Sequence, residues 1–468
     1  MTVQRQFFAA LLLSLMCANT IHAADHEHDA INALLMQERW SDAAIDLELF
    51  LSKTPDDAQA WFNLARARAH LQPSDGVLTA LNRAIDQGWS SRRRLKQEPA
   101  FAALREHDDF IALYQRMTER QHAQAREALA KLQRKYGPGL TYEIDDEERW
   151  ILATALSDQA RVELRGRLHA QAAALRHLFV HPPDHYISIV IPARWANPRV
   201  TGHFYPPAFL DASTMGSSLR HEFTHALHFA DQEAREQNHP IWLIEGLATW
   251  CEDTVVTAGV LTPTFSRRLA ELKDAVAAGR MHPFAKLLAL ERRQFTSQHY
   301  AQAGALLLHL HQAGKLTRFY QTYVTAQADD PSGRRAYETT WEAPLADIEV
   351  TWKNWLLSQP APFAQLDGVR PSLGCSFRQR PEGLEVDHLV ESGPAAQAGI
   401  MRGDLVIAAG DERVIDEEDL IAPVFSRRIG DVLPLTVRRA TGDHEHAVVI
   451  GQAAPTPMPP SAESKPAP

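Results

Sequence analysis

Cysteine is scarce, with three in 468 residues. That number excludes the dense disulfide framework by which small secreted domains are stapled. Positive charge is also in deficit. A polyanion binder carries a basic face, and a net charge of −10 gives no sign of one, so no nucleic-acid partner is expected. Long apolar runs are missing too. Beyond the N-terminal stretch, none reaches the roughly 18 residues that a membrane-crossing helix needs, so no transmembrane segment is expected. Hydrophobic residues at 45% and charged residues at 23% are ordinary for a globular chain. At roughly 150 residues per domain, the length allows about three domains.

The opening residues, MTVQRQFFAALLLSLMCANTIHAADHEHDA, carry a positive Arg5 and an apolar run from Phe7 to Ala18. This is a secretory signal pattern, with residues 1–23 removed by cleavage after Ala23. The mature protein is therefore expected to be exported, either periplasmic or secreted. Lipid anchoring at Cys17 is disfavoured, because Met16 stands where a small residue is required. Cys251 and Cys375 remain, in different domains, and read as buried free thiols.

Residues 26–118 read as helical throughout, with self-similarity at an offset of 34: Ala30 maps to Leu64, Leu47 to Leu81 and Phe50 to Ala84. Trp61, Leu64 and Ala65 have the spacing of a first repeat helix, and Pro55 closes the preceding unit. The pattern resembles about two tetratricopeptide (TPR) units followed by a divergent helical cap. Such a resemblance implies a concave face for a peptide or protein partner. Residues 119–139 read as a helical connector ending at Gly137-Pro138-Gly139. A helix is expected near 158–179 and a strand in HYISIVIPA. RVTGHFYPPAFLD reads as an extended segment or hairpin, and 217–359 as almost all helix. Residues 359–371 form a Pro-punctuated linker, and 453–468 a disordered Pro-rich tail.

The chemistry concentrates in LRHEFTHALHFADQEAREQNHPIWLIEGLATW, residues 219–250. His221-Glu222-Phe223-Thr224-His225 is an HExxH sequence. On a helix, positions i and i+4 share a face, so both imidazoles can converge on one ion. Leu219, Phe223, Ala226, Leu227 and Ala230 form an apolar stripe that lets the helix be buried. Glu245 follows on a second helix, after His239-Pro240 breaks the first. His221, His225 and Glu245 make three ligands and leave a fourth position open, as catalytic zinc sites require. Glu222 is then placed to act as general base.

HExxH followed by Trp-Leu-x-Glu-Gly-x-Ala resembles the gluzincin peptidases of the thermolysin-like clan, and within them the peptidase MA-like bacterial proteins. The resemblance spans residues 140–358 and is most specific over 217–250. It implies an α+β domain binding one Zn²⁺ through His221, His225 and Glu245, with Glu222 as catalytic base. Many gluzincins carry Asp four residues after the third ligand, whereas this chain has Thr249. The group that orients a ligand histidine must then come from elsewhere in the chain, with Glu252 and Asp253 as two candidates. His299 and Tyr300, in SQHYAQAG, are candidates to stabilise an oxyanion. His203, Tyr205 and His239 are weaker ones. TGHFYPP is the expected sheet edge for an extended substrate. No GxMEN stretch is present to anchor a free amine, which favours an endopeptidase.

Ser372-Leu373-Gly374-Cys375-Ser376-Phe377 and SGPAAQAGIMRGDLVIAAGDERV resemble a PDZ domain over 372–452. The first piece matches a carboxylate-binding loop. The second implies a short helix at 395–399, capped by Gly399, and a turn at Gly403-Asp404 into a strand. The groove can hold substrate, a partner's C-terminus, or nothing.

The fold expected is therefore multidomain and mainly α: a TPR-like α-solenoid, a central α+β gluzincin-like domain and a β-rich PDZ domain. The function expected is zinc-dependent peptide hydrolysis, with the flanking modules recruiting substrate or partners. The alternative is an inactive TPR/PDZ scaffold. Hydrolysis of a non-protein amide is a third possibility.

Overall fold

The computed structural model describes residues 27–71, 75–195, 201–264, 266–359 and 371–452. The expected signal segment and Pro-rich tail lie outside them, as does most of the expected linker. The chain divides into two compact units, Met1–Glu127 and Ala128–Pro468.

The first unit is built of helices α1 (27–36), α2 (Trp40–Lys53), α3 (Ala58–Leu71), α4 (Asp75–Asp86) and α5 (Arg92–Gln97), and it takes in the first part of α6 (Asp108–Tyr136). Consecutive helices pair and bury one apolar face each. Leu47, Phe50, Leu64, Leu81 and Ala84 all lie in a single core. The proposed match of Ala30 to Leu64 does not extend to environment, since Ala30 is exposed and Leu64 is buried. The boundary expected at 118–119 falls inside α6, which runs unbroken because no Gly or Pro interrupts it before Gly137.

The second unit opens with a five-stranded sheet in the order β1-β2-β3-β5-β4. Its strands are β1 (Thr141–Asp145), β2 (Trp150–Thr154), β3 (Ile187–Ile191), β4 (Gly202–Tyr205) and β5 (Phe209–Ala212). β2 and β3 (WILAT and ISIVI) are fully buried and parallel to each other, as their unbroken apolar runs require. β4 and β5 are the antiparallel hairpin anticipated in RVTGHFYPPAFLD, and β4 is left at the sheet edge. Helix α7 (Asp158–Leu175) starts at Ser157, whose Oγ accepts from the amide of Ala160.

The helical lobe follows: α8 (Ser217–Arg235), α9 (Ile241–Glu252), α10 (Arg267–Ala277), α11 (Phe284–Leu288), α12 (Ser297–Gln312), α13 (Leu316–Ala326), α14 (Arg334–Trp341) and α15 (Leu345–Ser358). A two-stranded hairpin, β6 (Thr254–Thr257) and β7 (Val260–Pro263), interrupts it within the stretch expected to be almost all helix. Val255 and Val256 are β-branched, and Ala258-Gly259 turns the chain with positive φ at both positions. The apolar stripe of α8 is buried along its whole length. α8 ends at Glu236 in the left-handed region, and Pro240 starts α9, so the chain reverses and the two helices pack together.

The C-terminal module, 371–452, carries β8 (Pro371–Ser372), β9 (Cys375–Arg380), β10 (Gly383–Leu389), α16 (Pro394–Gln397), β11 (Leu405–Ala409), β12 (Glu412–Arg413), α17 (Glu417–Phe425), β13 (Val432–Arg439), β14 (Gly442–Val449) and β15 (Gly451–Gln452). β9 is an edge of its sheet. Gly399 and Gly403 have positive φ at the expected helix end and turn. Cys251 and Cys375 are both free.

Candidate metal centre

Helical spacing and one chain reversal build the site. His221 and His225 are one turn apart on α8, and Glu245 lies one turn into α9. Their donor atoms converge. His221 Nε2 lies 3.2 Å from His225 Nε2, and Glu245 Oε2 lies 3.5 Å from the first and 3.2 Å from the second. A tetrahedron with bonds of about 2.0–2.1 Å has edges of about 3.3–3.4 Å, so this triangle has the size of one face of a zinc site. Among the described residues it is the one cluster of three or more such side chains that can hold a metal. Arg292 Nη1 lies 3.3 Å from Glu245 Oε1, which leaves Oε2 to face the two imidazoles.

Burial opposes ionisation of Glu245, but hydrogen bonds to His221 and His225 outweigh it and hold the carboxyl below its ordinary range. Burial likewise opposes charge on His221, yet its contacts with Glu245 and Glu252 push it up to about 10. The carboxylates around His221 thus favour positive charge at that position. Glu222 differs. It is buried against the same groups, and burial is the largest influence, raising its pKa. A carboxyl raised in this way is a stronger proton acceptor than an exposed one.

The position behind His221 is filled by Glu252. Its Oε2 lies 3.2 Å from His221 Nδ1, and Arg268 holds Oε1 through two contacts of 3.3 Å. The Arg220 guanidinium grips the Glu252 carbonyl at 2.7 and 3.1 Å. Residues 245, 249 and 252 share one face of α9, so Glu252 reaches from one turn beyond the usual aspartate position. Thr249 is packed tightly against α12. A Cβ built on Gly304 of α12 would stand 2.8 Å from Thr249 Cγ2, so the two helices touch there through small groups. Asp253 does not approach His221. Burial, with Glu252 beside it, pushes it up to about 8.

A cleft of about 220 Å³ opens onto the site, lined by Thr201, Gly202, Ser218, His221, Glu222, Glu252, Arg268, Ser297 and Tyr300. Gly202 went unnoticed in the sequence. A Cβ there would lie 2.7 Å from Glu222 Cγ and 2.9 Å from its Oε1, so only glycine lets the edge strand approach the carboxylate. A glycine inside a strand pattern was the available signal.

Tyr300 reaches the cleft, with its ring 6.4 Å from that of His221. Burial and the nearby carboxylates Glu245 and Glu222 push its phenol up to about 12, so it stays a donor. His299 is not brought to the cleft. It is the third residue of α12, and its Nδ1 closes a capping box with Thr296. Adjacent helical residues point about 100° apart, so Tyr300 and His299 cannot both face the metal centre. His203 faces Asp211 across the hairpin at 3.0 Å. Tyr205 is exposed at the far end of β4. His239 is buried away from the cleft and lies 2.8 Å from His228.

The family model of the PDZ domain matches residues 371–450. No curated protein matches the chain. Among solved structures, an aminopeptidase N family protein from Idiomarina loihiensis aligns at 14% identity over 67% of each chain, with a TM-score of 0.29. The PDZ domain of HtrA3 bound to a phage-derived ligand aligns at 19% identity over 18% of this chain and 88% of that one, with a TM-score of 0.17. The HtrA-type protease AlgW with decapeptide aligns at 17% identity over 24% of this chain and 36% of its own length, with a TM-score of 0.18. Likenesses this slight leave the chemistry to the side chains.

Proposed function

We propose that the chain is an exported zinc-dependent metallopeptidase, in which His221, His225 and Glu245 hold one Zn²⁺ and Glu222 is the general base. The observation that supports it most is the triangle of donor atoms with edges of 3.2–3.5 Å, set beside a buried carboxyl. Bound zinc supplies a Lewis acid for the scissile carbonyl and brings the pKa of a coordinated water to about 7. Glu222 takes the proton released as the carbonyl is attacked, then delivers it to the departing amine. Tyr300 donates from its neutral phenol to the oxyanion. Glu252 accepts from Nδ1 of His221, which fixes the tautomer that leaves Nε2 free to coordinate.

The peptide lies along β4, which is the last strand of its sheet among the described residues. An open edge with no amine-anchoring stretch favours endopeptidase action. The central domain is read as gluzincin-like and the N-terminal helices as a TPR-like array. The PDZ groove and the concave face of that array are the expected contacts for protein or peptide partners. Glu252 supplies what Thr249 lacks, which favours an active enzyme over an inactive scaffold. The purified mature protein should contain one zinc per chain and cleave casein or a peptide library. A chelator should stop the cleavage. Zinc present without any cleavage would return the reading to the scaffold.

A further inference from the structure

The PDZ domain is seated on the N-terminal end of α8. Asp416 Oδ2 accepts from the backbone amide of Ser217 at 2.7 Å and from its hydroxyl at 2.6 Å. Asp416 is also the N-cap residue of α17, where its amide donates to Asp419 Oδ2 at 3.2 Å, so one residue stands at the start of both the metal helix and the helix that walls the PDZ groove. Gly216 permits the contact, because a Cβ there would lie 2.4 Å from Asp416 Oδ2. Ile415 is buried in the hydrophobic core of the central domain. Glu382 accepts from the Ser157 amide at 2.6 Å and from its hydroxyl at 3.0 Å, and the Met215 amide donates to the Pro381 carbonyl at 3.3 Å.

These contacts gather at one end of the groove. The carboxylate loop, Leu373-Gly374, opens β9, with Gly374 in the left-handed region. A chain terminus held there and paired antiparallel to β9 runs back toward Arg380. It leaves the groove at Pro381 and Asp416, beside Ser217. Gln379 Nε2 donates to the Ile415 carbonyl at 2.7 Å and sets the width of that exit.

The metal cleft begins on the same side, at Ser218 and Thr201. β4 and α8 run alongside in the same sense, because Gly202 meets Glu222 and Phe204 meets His225 and Phe229. A peptide added antiparallel to β4 therefore has its carboxyl-terminal side at Thr201 and Ser218, pointing to the PDZ domain. The polarity that the groove demands and the polarity that the cleft demands agree.

We infer that the substrate is the free carboxyl-terminal segment of a protein, with its terminal carboxylate in the PDZ groove and its upstream chain fed into the metal cleft. This rests on the peptidase reading above. The length is set by geometry. About five residues pair along β9. Another two to four, at about 3.3 Å each, cover the first turn of α8 and the step into the cleft. Cleavage then falls roughly seven to nine residues from the C-terminus and releases a short peptide.

The test uses the full zinc-loaded chain and 20-residue synthetic peptides of one sequence ending in valine, as the free acid and as the amide. The free acid should be cleaved at least tenfold more efficiently, through KM. Inserting three residues next to the C-terminus should move the cleaved bond by three. Gly216→Ala, which unseats the PDZ domain, should abolish the preference for the acid. Equal rates for acid and amide, or a cleaved bond that stays with the sequence when the insert is made, would overturn the proposal. If no peptide is cleaved at all, the peptidase reading fails separately, and binding geometry still decides this one. A photo-cross-linking residue eight positions from the free C-terminus should label the cleft wall at Thr201, Ser218 or Tyr300 in the Glu222→Gln variant. Labelling confined to other surfaces would refute it.

Discussion

Removing the carboxylate of Glu252 tests the most specific structural statement about the metal centre, which is that a residue one turn beyond the usual position orients His221. The Glu252→Ala variant loses the 3.2 Å contact to Nδ1 and leaves the Arg268 guanidinium without its partner, which it now meets at 3.3 Å. One hydrogen bond to a charged group is worth about 1.5–3 kcal/mol when buried. That energy corresponds to about a 10- to 100-fold loss of zinc affinity, the range seen when groups supporting a ligand are removed. Glu252→Gln keeps an acceptor for Nδ1–H and should lose less. Competition against a chromophoric chelator measures the affinity directly, independent of turnover. Asp253→Asn is the internal control, since Asp253 does not approach His221, and its zinc affinity should match the parent. An affinity for Glu252→Ala within about twofold of the parent would refute the reasoning, and so would an equal loss in Asp253→Asn.

Gly202→Ala should retain zinc yet lose about 100-fold in kcat, because the new methyl would sit 2.7 Å from Glu222 Cγ and push the base out of place. Zinc content and steady-state kinetics on one preparation separate the two effects. Tyr300→Phe should lower kcat by about 100-fold with KM little changed, while His299→Asn should change folding stability and not kcat. Matched kinetics and urea melts check the contrast. Acid should destabilise the second unit through His239. Burial holds its pKa down to about 4 from an ordinary 6.5, against the pull of Asp231. The unfolded chain then binds a proton that the folded chain refuses, so stability is full above pH 6.5 and is lost as pH falls toward 4. The loss is on the order of 3 kcal/mol. His239→Gln should flatten that part of the stability–pH curve, which urea titrations at pH 7 and pH 5 would show.

Much of the site was legible in the sequence because helical geometry is local. HExxH on an amphipathic helix, a break at His239-Pro240 and a glutamate soon after suffice to place three donor atoms. The sheet edge in TGHFYPP and the glycine turns of the C-terminal module follow from equally short-range rules. What was not legible depends on packing between distant segments. The choice of Glu252 over Asp253 turns on how Arg220, Arg268 and His221 meet. The close packing at Thr249 turns on Gly304, more than fifty residues away in the chain. His299 and Tyr300 were equal candidates in sequence, and only the rotation of α12 separates them. The sharing of Asp416 by two helices from different domains leaves no local trace, since residue 416 reads as an ordinary helix cap.

On the proposed mechanism, His221, His225 and Glu245 hold zinc while Glu222 serves as base. Its most direct measurement is zinc content together with peptide cleavage in the parent, in Glu222→Gln and in His225→Ala. The expected result is about one zinc and full turnover in the parent, about one zinc and turnover lowered by roughly 1,000-fold or more in Glu222→Gln, and neither metal nor turnover in His225→Ala. Cleavage that survives in Glu222→Gln, or zinc that stays bound in His225→Ala, would contradict it.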